Sequence, residues 1–275
     1  MVRPEKSIDK RIPHGCEQVP VSLTDVSQLA GIVAQSSAVI YCAGSVRGRS
    51  SSDFALANIK GIKAMLEALE QSADAPPMLL LSSLAASRPH LSDYAHSKYE
   101  GECVLHGKPL LPWTILRPPA VYGPGDKEML PLLKMIRSGF LAHPGPHDQR
   151  LSLLHVDDLA SAVMSWLSAF QNCLHETYAI DDGMPGGYSW KDIGEAVSER
   201  KFRVLKLPDF LLQGSATMNL LFSRALGYSP MLTPGKVREL TQAEWLCDNR
   251  GFMDATGWKP RLDLQQGARQ LFETM

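Results

Sequence analysis

The chain has no long hydrophobic run. Its longest apolar stretch, "MLLLSSLAA", is less than half of the ~20 residues that a membrane-spanning helix needs. The opening "MVRPEKSIDKRIPHG" contains no apolar core of a secretory signal. An excess of charge is missing as well. With 28 Lys and Arg against 29 Asp and Glu, the net charge of −1 gives no electrostatic reason to expect nucleic acid or an anionic membrane as a partner. Cysteine is sparse: Cys16, Cys42, Cys103, Cys173 and Cys247 are odd in number, scattered and without a CxxC pair. That argues against a disulfide framework and a zinc site, and suits a reducing, cytoplasmic setting. No internal repeat, low-complexity tract or G-x-S-x-G elbow is present.

What is there is ordinary for a soluble globular protein: 275 residues, 44% hydrophobic and 21% charged, enough to bury a full core. Through the first 180 residues short apolar runs alternate with helical periods. Strands are predicted at 17–23, 38–44, 77–83 and 113–119. Between them lie helices at 24–35, opened by Thr24 or Asp25, at 52–72, and at 92–107, capped by Ser92. Strands apolar throughout, alternating with helices, predict a parallel sheet covered on both faces. This is the doubly wound, Rossmann-like α/β class, in which ligands bind beyond the carboxyl ends of the strands. From about residue 183 the text turns to helices and loops rich in Met, Leu and Pro, with a small strand at 201–208. A sheet domain at 1–182 and a smaller, mainly helical substrate lobe at 183–275 are expected.

Chemistry is suggested by "SDYAHSKYEG", which sets Tyr94 and Lys98 one turn apart on one helix face. By itself this spacing suits a surface helix. Its context is more specific: Ser83 ends the "LLLSS" strand, and Asn58 lies in the helix after "YCAG", so all converge on one crevice of a doubly wound sheet. A free phenol, with a pKa of ~10, is a poor base at neutral pH. An ammonium roughly 4 Å away, at an effective dielectric of ~20, would favour the phenolate by about 4 kcal/mol, or ~3 pKa units before desolvation. A phenol moved towards 7 could relay a proton, with a serine hydroxyl holding the substrate oxygen beside it.

The pieces "VIYCAG", "NIKG", "LLLSSLAAS", "YAHSK", "TILRPPAVYGPGD", "LLHVDDLA" and "TGWKP" occur in one order across nearly the whole chain. Together they resemble the short-chain dehydrogenases/reductases of the extended or atypical kind, the NAD(P)-dependent epimerase/dehydratase family. The resemblance implies that Tyr94 is the catalytic acid/base and that Lys98 binds the nicotinamide ribose and acidifies the phenol. It also implies that Ser83 orients the substrate oxygen and that Asn58 supports the lysine. The backbone at Ala43, Gly44 and Pro118 would lie along the cofactor, and Ala120 would face the substrate. NAD or NADP is implied, NADP slightly favoured because Arg3 would suit a 2′-phosphate. The implied function is an oxidoreductase or epimerase-like enzyme on a small organic alcohol or carbonyl, a soluble homodimer with no membrane span. Ala120, where sugar-nucleotide epimerases usually carry Asn, and Leu151, where they often carry Arg, weaken the case for a sugar nucleotide.

The same family opens with a strand and a GxxGxxG turn that bring a helix N-terminus to the pyrophosphate, and this sequence has no such turn. "MVRPEKS" resembles the end of the family's second strand, so the central first strand is expected to be missing. The fragment would then pair its third strand, 17–23, with its fourth, 38–44, or oligomerise, or fold poorly. A non-catalytic dinucleotide sensor or assembly subunit, or an inactive truncated form, is therefore the alternative. Elsewhere, Asp157 in "HVDD" reads as a helix cap, His143 and His147 as an exposed loop, Cys42 and Cys103 as small core residues, and "FLLQGSATMNLLF" as packing that could also line the pocket. No metal site is expected. The reading frame upstream of Met1 is expected to encode a glycine-rich stretch; a stop codon directly before Met1 would overturn that.

Overall fold

The computed structural model describes residue 12 and residues 15–146, 148–198 and 200–273. Arg3 and His147 lie outside the described residues. The centre is a four-stranded, wholly parallel sheet of β1 (Val39–Tyr41), β2 (Met78–Leu81), β3 (Trp113–Arg117) and β8 (Thr177–Ala179), in the order β1-β2-β3-β8. Alternate residues of β2 and β3 are buried in opposite layers, whereas Ile40 of β1 is exposed. Met78, Leu80 and Ile115 face a cluster with α1 (Val26–Val33) and α3 (Gly61–Glu70), whereas Leu79 and Leu116 face Trp166 of α6 (Val156–Ala169) and Phe252 of α10 (Arg250–Thr256). Each fully buried Leu or Met adds roughly 1.5–3 kcal/mol of hydrophobic stabilisation. This two-sided burial is why the strands read as unbroken apolar runs.

Helix boundaries follow their caps. Asp25 accepts from Gln28 N–H at 3.1 Å to open α1, and Ser92 accepts from Ala95 N–H at 2.9 Å to open α4 (Asp93–His106). The expected helix at 52–72 is Ser51–Ala55 (α2), a π turn at Leu56–Lys60, and α3. The expected strand at 17–23 is not one. Only Pro20 makes a bridge, residues 17–23 form no ladder with β1, and Val21 instead packs into the core beside Leu29. Pro20, with no N–H to give, is poorly suited to continue a ladder.

Smaller parallel pairs carry the rest: β4 (Ala120–Tyr122) with β7 (Leu153–His155), β5 (Phe140–His143) with β9 (Arg203–Lys206), and β6 (Arg150–Leu151) with β10 (Glu244–Trp245). Three more helices join α5 (Leu130–Arg137) and α7 (Trp190–Val197): α8 (Asp209–Leu226), α9 (Pro234–Leu240) and α11 (Leu264–Glu273). Packing crosses the boundary expected at residue 182. Leu264 and Leu271 of α11 share a core with Tyr122, Leu141 and Trp190, and Phe252 of α10 packs under the main sheet.

Several local expectations need correction. The cap of α6 is His155, whose ring accepts from Asp157 N–H at 3.2 Å; Asp157 sits inside the first turn and accepts from Gln270. His143 is buried at the end of β5 and stacks on Trp190 at 5.6 Å. Cys42 and Cys103 are exposed, and Cys173 is the buried thiol.

Helix α4 meets the π turn through Gly101, where a Cβ would overlap the Asn58 carbonyl. Gly101→Ala is expected to push the two apart and lower unfolding free energy by about 1–3 kcal/mol, despite alanine's better helix propensity. Urea denaturation measures this, and equal or greater stability in the variant would refute the close fit.

Candidate functional site

The carboxyl ends of β1, β2 and β3 converge, and the first turns of α4 cross in front of them. Asn58 is brought in by the π turn, whose extra residue per turn aims its side chain inward; such turns often mark functional positions. The Asn58 amide is buried and fully used. Its Oδ1 accepts from Ser45 N–H at 3.0 Å, and its Nδ2 donates to Ser45 O at 3.1 Å and to Ser97 Oγ at 2.9 Å. The Ser97 hydroxyl donates in turn to the Tyr94 carbonyl at 2.7 Å. One amide thus ties the loop after β1 to the first turn of α4.

Lys98 is buried, and its Nζ donates to the Leu81 carbonyl at the end of β2, 3.0 Å away. Burial draws its pKa down to about 8, against the opposing pull of the Glu102 carboxylate. Glu102, one turn on, is completely buried; it accepts from Ser82 and is paired with Arg117, whose Nε donates at 2.9 Å. Gly44 leaves room above this amine: a Cβ there would stand 3.3 Å from Lys98 Nζ and 3.4 Å from Asn58 Oδ1.

Tyr94 is partly buried, with its ring 6.1 Å from that of Phe54. Burial raises its pKa above the ordinary phenol value, while a hydrogen bond with Ser83 and the charge of Lys236 pull it back. Ser83 Oγ also accepts from Ala85 N–H at 3.2 Å, capping the short turn Leu84–Ser87. The resting phenol is therefore not shifted towards 7 as the Tyr–Lys spacing led one to expect. The Lys98 amine is committed to the Leu81 carbonyl, and the cation that acidifies the phenol comes from α9.

Lys236 forms an ion pair with Glu239 at 2.9 Å. Burial works against its charge, but the Glu239 carboxylate outweighs that and raises its pKa. Helix α9 is docked on the start of α4: Ser92 donates to Glu239, Arg238 Nε donates to the Leu91 carbonyl at 2.8 Å, and Arg88 lies 5.0 Å over the Trp245 ring. Tyr94 and Lys236 line one cavity of about 200 Å³, walled also by Phe54, Leu220 and Met231.

Ala120 is exposed where β4 begins, and Pro118 lies beside Ser83, its carbonyl accepting from Leu84 N–H at 2.8 Å. Ala43 packs at the edge of the core beside the β1 end. Sequence reasoning missed Ser97, Glu102, Arg117 and Lys236. The first three lie in or next to motifs already quoted; nothing local marks Lys236. Among the described residues no cluster of His, Cys, Asp and Glu is arranged to hold a metal, and no helix is long and apolar enough to cross a membrane.

The chain is 32% identical over 210 residues to a ceramide reductase of Caulobacter vibrioides, covering 75% of this chain and 64% of that relative. It is 25% identical over 212 residues to a 3beta-hydroxysteroid-dehydrogenase/decarboxylase (isoform 2) of Arabidopsis thaliana, covering 70% of this chain and 37% of the relative. The chain thus spans less than two thirds of the length of these curated relatives. Its fold is shared with a UDP-glucose 4-epimerase of Thermotoga maritima, with a TM-score of 0.71, 17% identity, and 98% and 88% of the two chains covered. The model of the NAD dependent epimerase/dehydratase family matches residues 3–180, and the chain belongs to that family.

Proposed function

We propose that the protein is an NAD(P)-dependent oxidoreductase acting on the alcohol or carbonyl of a largely apolar organic molecule. The observation that carries this reading is the Tyr94 phenol, which lines a cavity shared with Phe54, Leu220, Met231, Arg224 and Lys236 and whose acidity feels the nearby Ser83 hydroxyl. A phenol beside a serine hydroxyl can pass a proton to or from a carbinol oxygen that the serine orients. The cavity has one apolar side, Phe54, Leu220 and Met231, among charged residues that include Arg47, Arg49, Arg224, Lys236 and Arg238. The preference for a lipid-like or steroid-like body over a sugar rests on the names of the two curated relatives.

The residues present fit the nicotinamide half of the family's cofactor. The absence of a side chain at Gly44 leaves the Lys98 amine uncovered on that side, and the amine, which gives one N–H to the Leu81 carbonyl, would donate to a ribose. No glycine-rich turn for the diphosphate occurs among the described residues. Bound there, the nicotinamide supplies or accepts the hydride. The chain's own residues do the rest: Tyr94 carries the proton, Ser83 holds the reacting oxygen, and Lys98, steadied by Asn58 through Ser45 and Ser97, binds the ribose. Arg3 favours NADP over NAD by its charge. The thiols, none of them in a disulfide, suit a reducing cytosol.

Titration with NADPH is expected to raise the melting temperature and nicotinamide fluorescence, and Lys98→Ala to abolish both. No response at millimolar cofactor would leave the non-catalytic subunit as the better reading. Tyr94→Phe is expected to keep cofactor binding while losing about 10²–10⁴-fold in turnover of a hydrophobic ketone; full activity would remove the phenol from the chemistry.

The buried amine has its own signature. Because burial lowers Lys98 from 10.5 to about 8, its charge costs stability fully below pH 8, and the cost fades as pH rises towards 10.5. Wild type is thus expected to gain on the order of 1–3 kcal/mol relative to Lys98→Met across that window. Denaturant curves at stepped pH measure it, and a flat difference would contradict a desolvated lysine.

A further inference from the structure

Helix α8 turns an apolar face to solvent. Phe210, Leu211, Met218, Leu221 and Phe222 are each between 53% and 73% exposed, and only Ala216 and Ser223 of its 18 residues are buried. At 100° per residue all five fall within about 120° of the helix circumference, so they share one face, in two groups separated by the turn of Gly214 and Ser215. The expectation that these residues pack inward holds for Leu220, which lines the Tyr94 cavity, and fails for the outer stripe.

The strand that leads into this helix is fully exposed and basic. Arg200, Lys201, Arg203 and Lys206 are exposed, and none forms an ion pair with a described residue. Between residues 200 and 226 there are five basic residues and a single acid, in a chain whose total charge is −1. Exposed β9 residues Val204 and Leu205 extend the apolar surface. An apolar helix face beside unpaired cations is the composition of a helix lying in a bilayer interface. There the hydrocarbon takes the stripe and anionic headgroups take the charges.

We infer that β9 and α8 dock the protein on an anionic lipid bilayer, with α8 lying along the surface rather than crossing it. The charge complementarity selects a membrane over a second copy of the chain, because the same basic segment on both partners would repel. The inner side of α8 borders the cavity through Leu220 and Arg224. Docking would therefore set the cavity beside the membrane, a link to substrate that rests on the function proposed above.

Cosedimentation tests this with the full chain and two kinds of vesicle, phosphatidylcholine alone and phosphatidylcholine mixed with phosphatidylglycerol. Wild type is expected to sediment with the mixed vesicles and to be released as salt is raised. Phe210→Asp with Leu221→Asp, and separately Lys201→Glu with Arg203→Glu, are each expected to weaken partitioning by about tenfold or more. Both pairs should melt as wild type does. Wild type remaining in the supernatant with both vesicles would overturn the inference. So would a stable solution dimer that the Asp pair dissociates. Neither readout needs turnover, so an inactive protein that binds vesicles removes only the enzyme reading, and an active one that ignores them removes only the docking surface.

Discussion

The side-chain amide of Asn58 is the constraint on which the site depends. Three hydrogen bonds fix it to Ser45 and Ser97, and Ser97 in turn holds the Tyr94 carbonyl. Buried and fully paired, such an amide stabilises one arrangement. Losing a partner would leave a donor unsatisfied at about 1–3 kcal/mol, a sizeable part of a domain's stability. The π turn that aims it and the glycine that lets α4 close on it belong to the same device. Without that close approach the loop after β1 and helix α4 would lose this shared anchor.

Around this anchor the polar groups are arranged by depth. Glu102, deepest, is neutralised by Arg117 and Ser82. Lys98 comes next, with only a carbonyl to bind and a charge that burial makes costly. Tyr94 lines the cavity. A paired carboxylate at the bottom raises the lysine's hold on its proton, and the lysine above still surrenders it more readily than a lysine in water. Burial thus keeps the amine near the point where its charge responds to what binds beside it.

Legibility in the sequence followed the range of the interaction. Strands β2 and β3 were readable because two-sided burial demands apolar residues along them. Strand β1 was readable because Val39 and Tyr41 are buried and the exposed Ile40 between them is apolar too, and the caps Asp25 and Ser92 act over three residues. The segment 17–23 has the same local composition but forms no ladder with a described strand, and composition does not report neighbours. His155 took the cap read onto Asp157 because the helix already begins at Val156, which brings the Asp157 N–H to the His155 ring nitrogen. In α8 the helical period was plain, yet a period says only that one face is apolar, not whether that face points to the core or to solvent. Lys236 had no local signal at all, since its role comes from the docking of α9 on Leu91 and Ser92.

The Tyr–Lys spacing shows the limit of reasoning from a motif to an acidity. Four residues along a helix fix the distance between two side-chain bases, but each tip follows its own partner. Lys98 reaches the Leu81 carbonyl, and Tyr94 reaches Ser83. The cation that does act on the phenol, Lys236, is itself bound to Glu239 at 2.9 Å, so much of its field is cancelled before it reaches the ring. Glu239 and Glu128 add fields of opposite sign. Desolvation is the largest of these contributions, so the resting phenol stays protonated at neutral pH and holds its proton more tightly than a phenol in water.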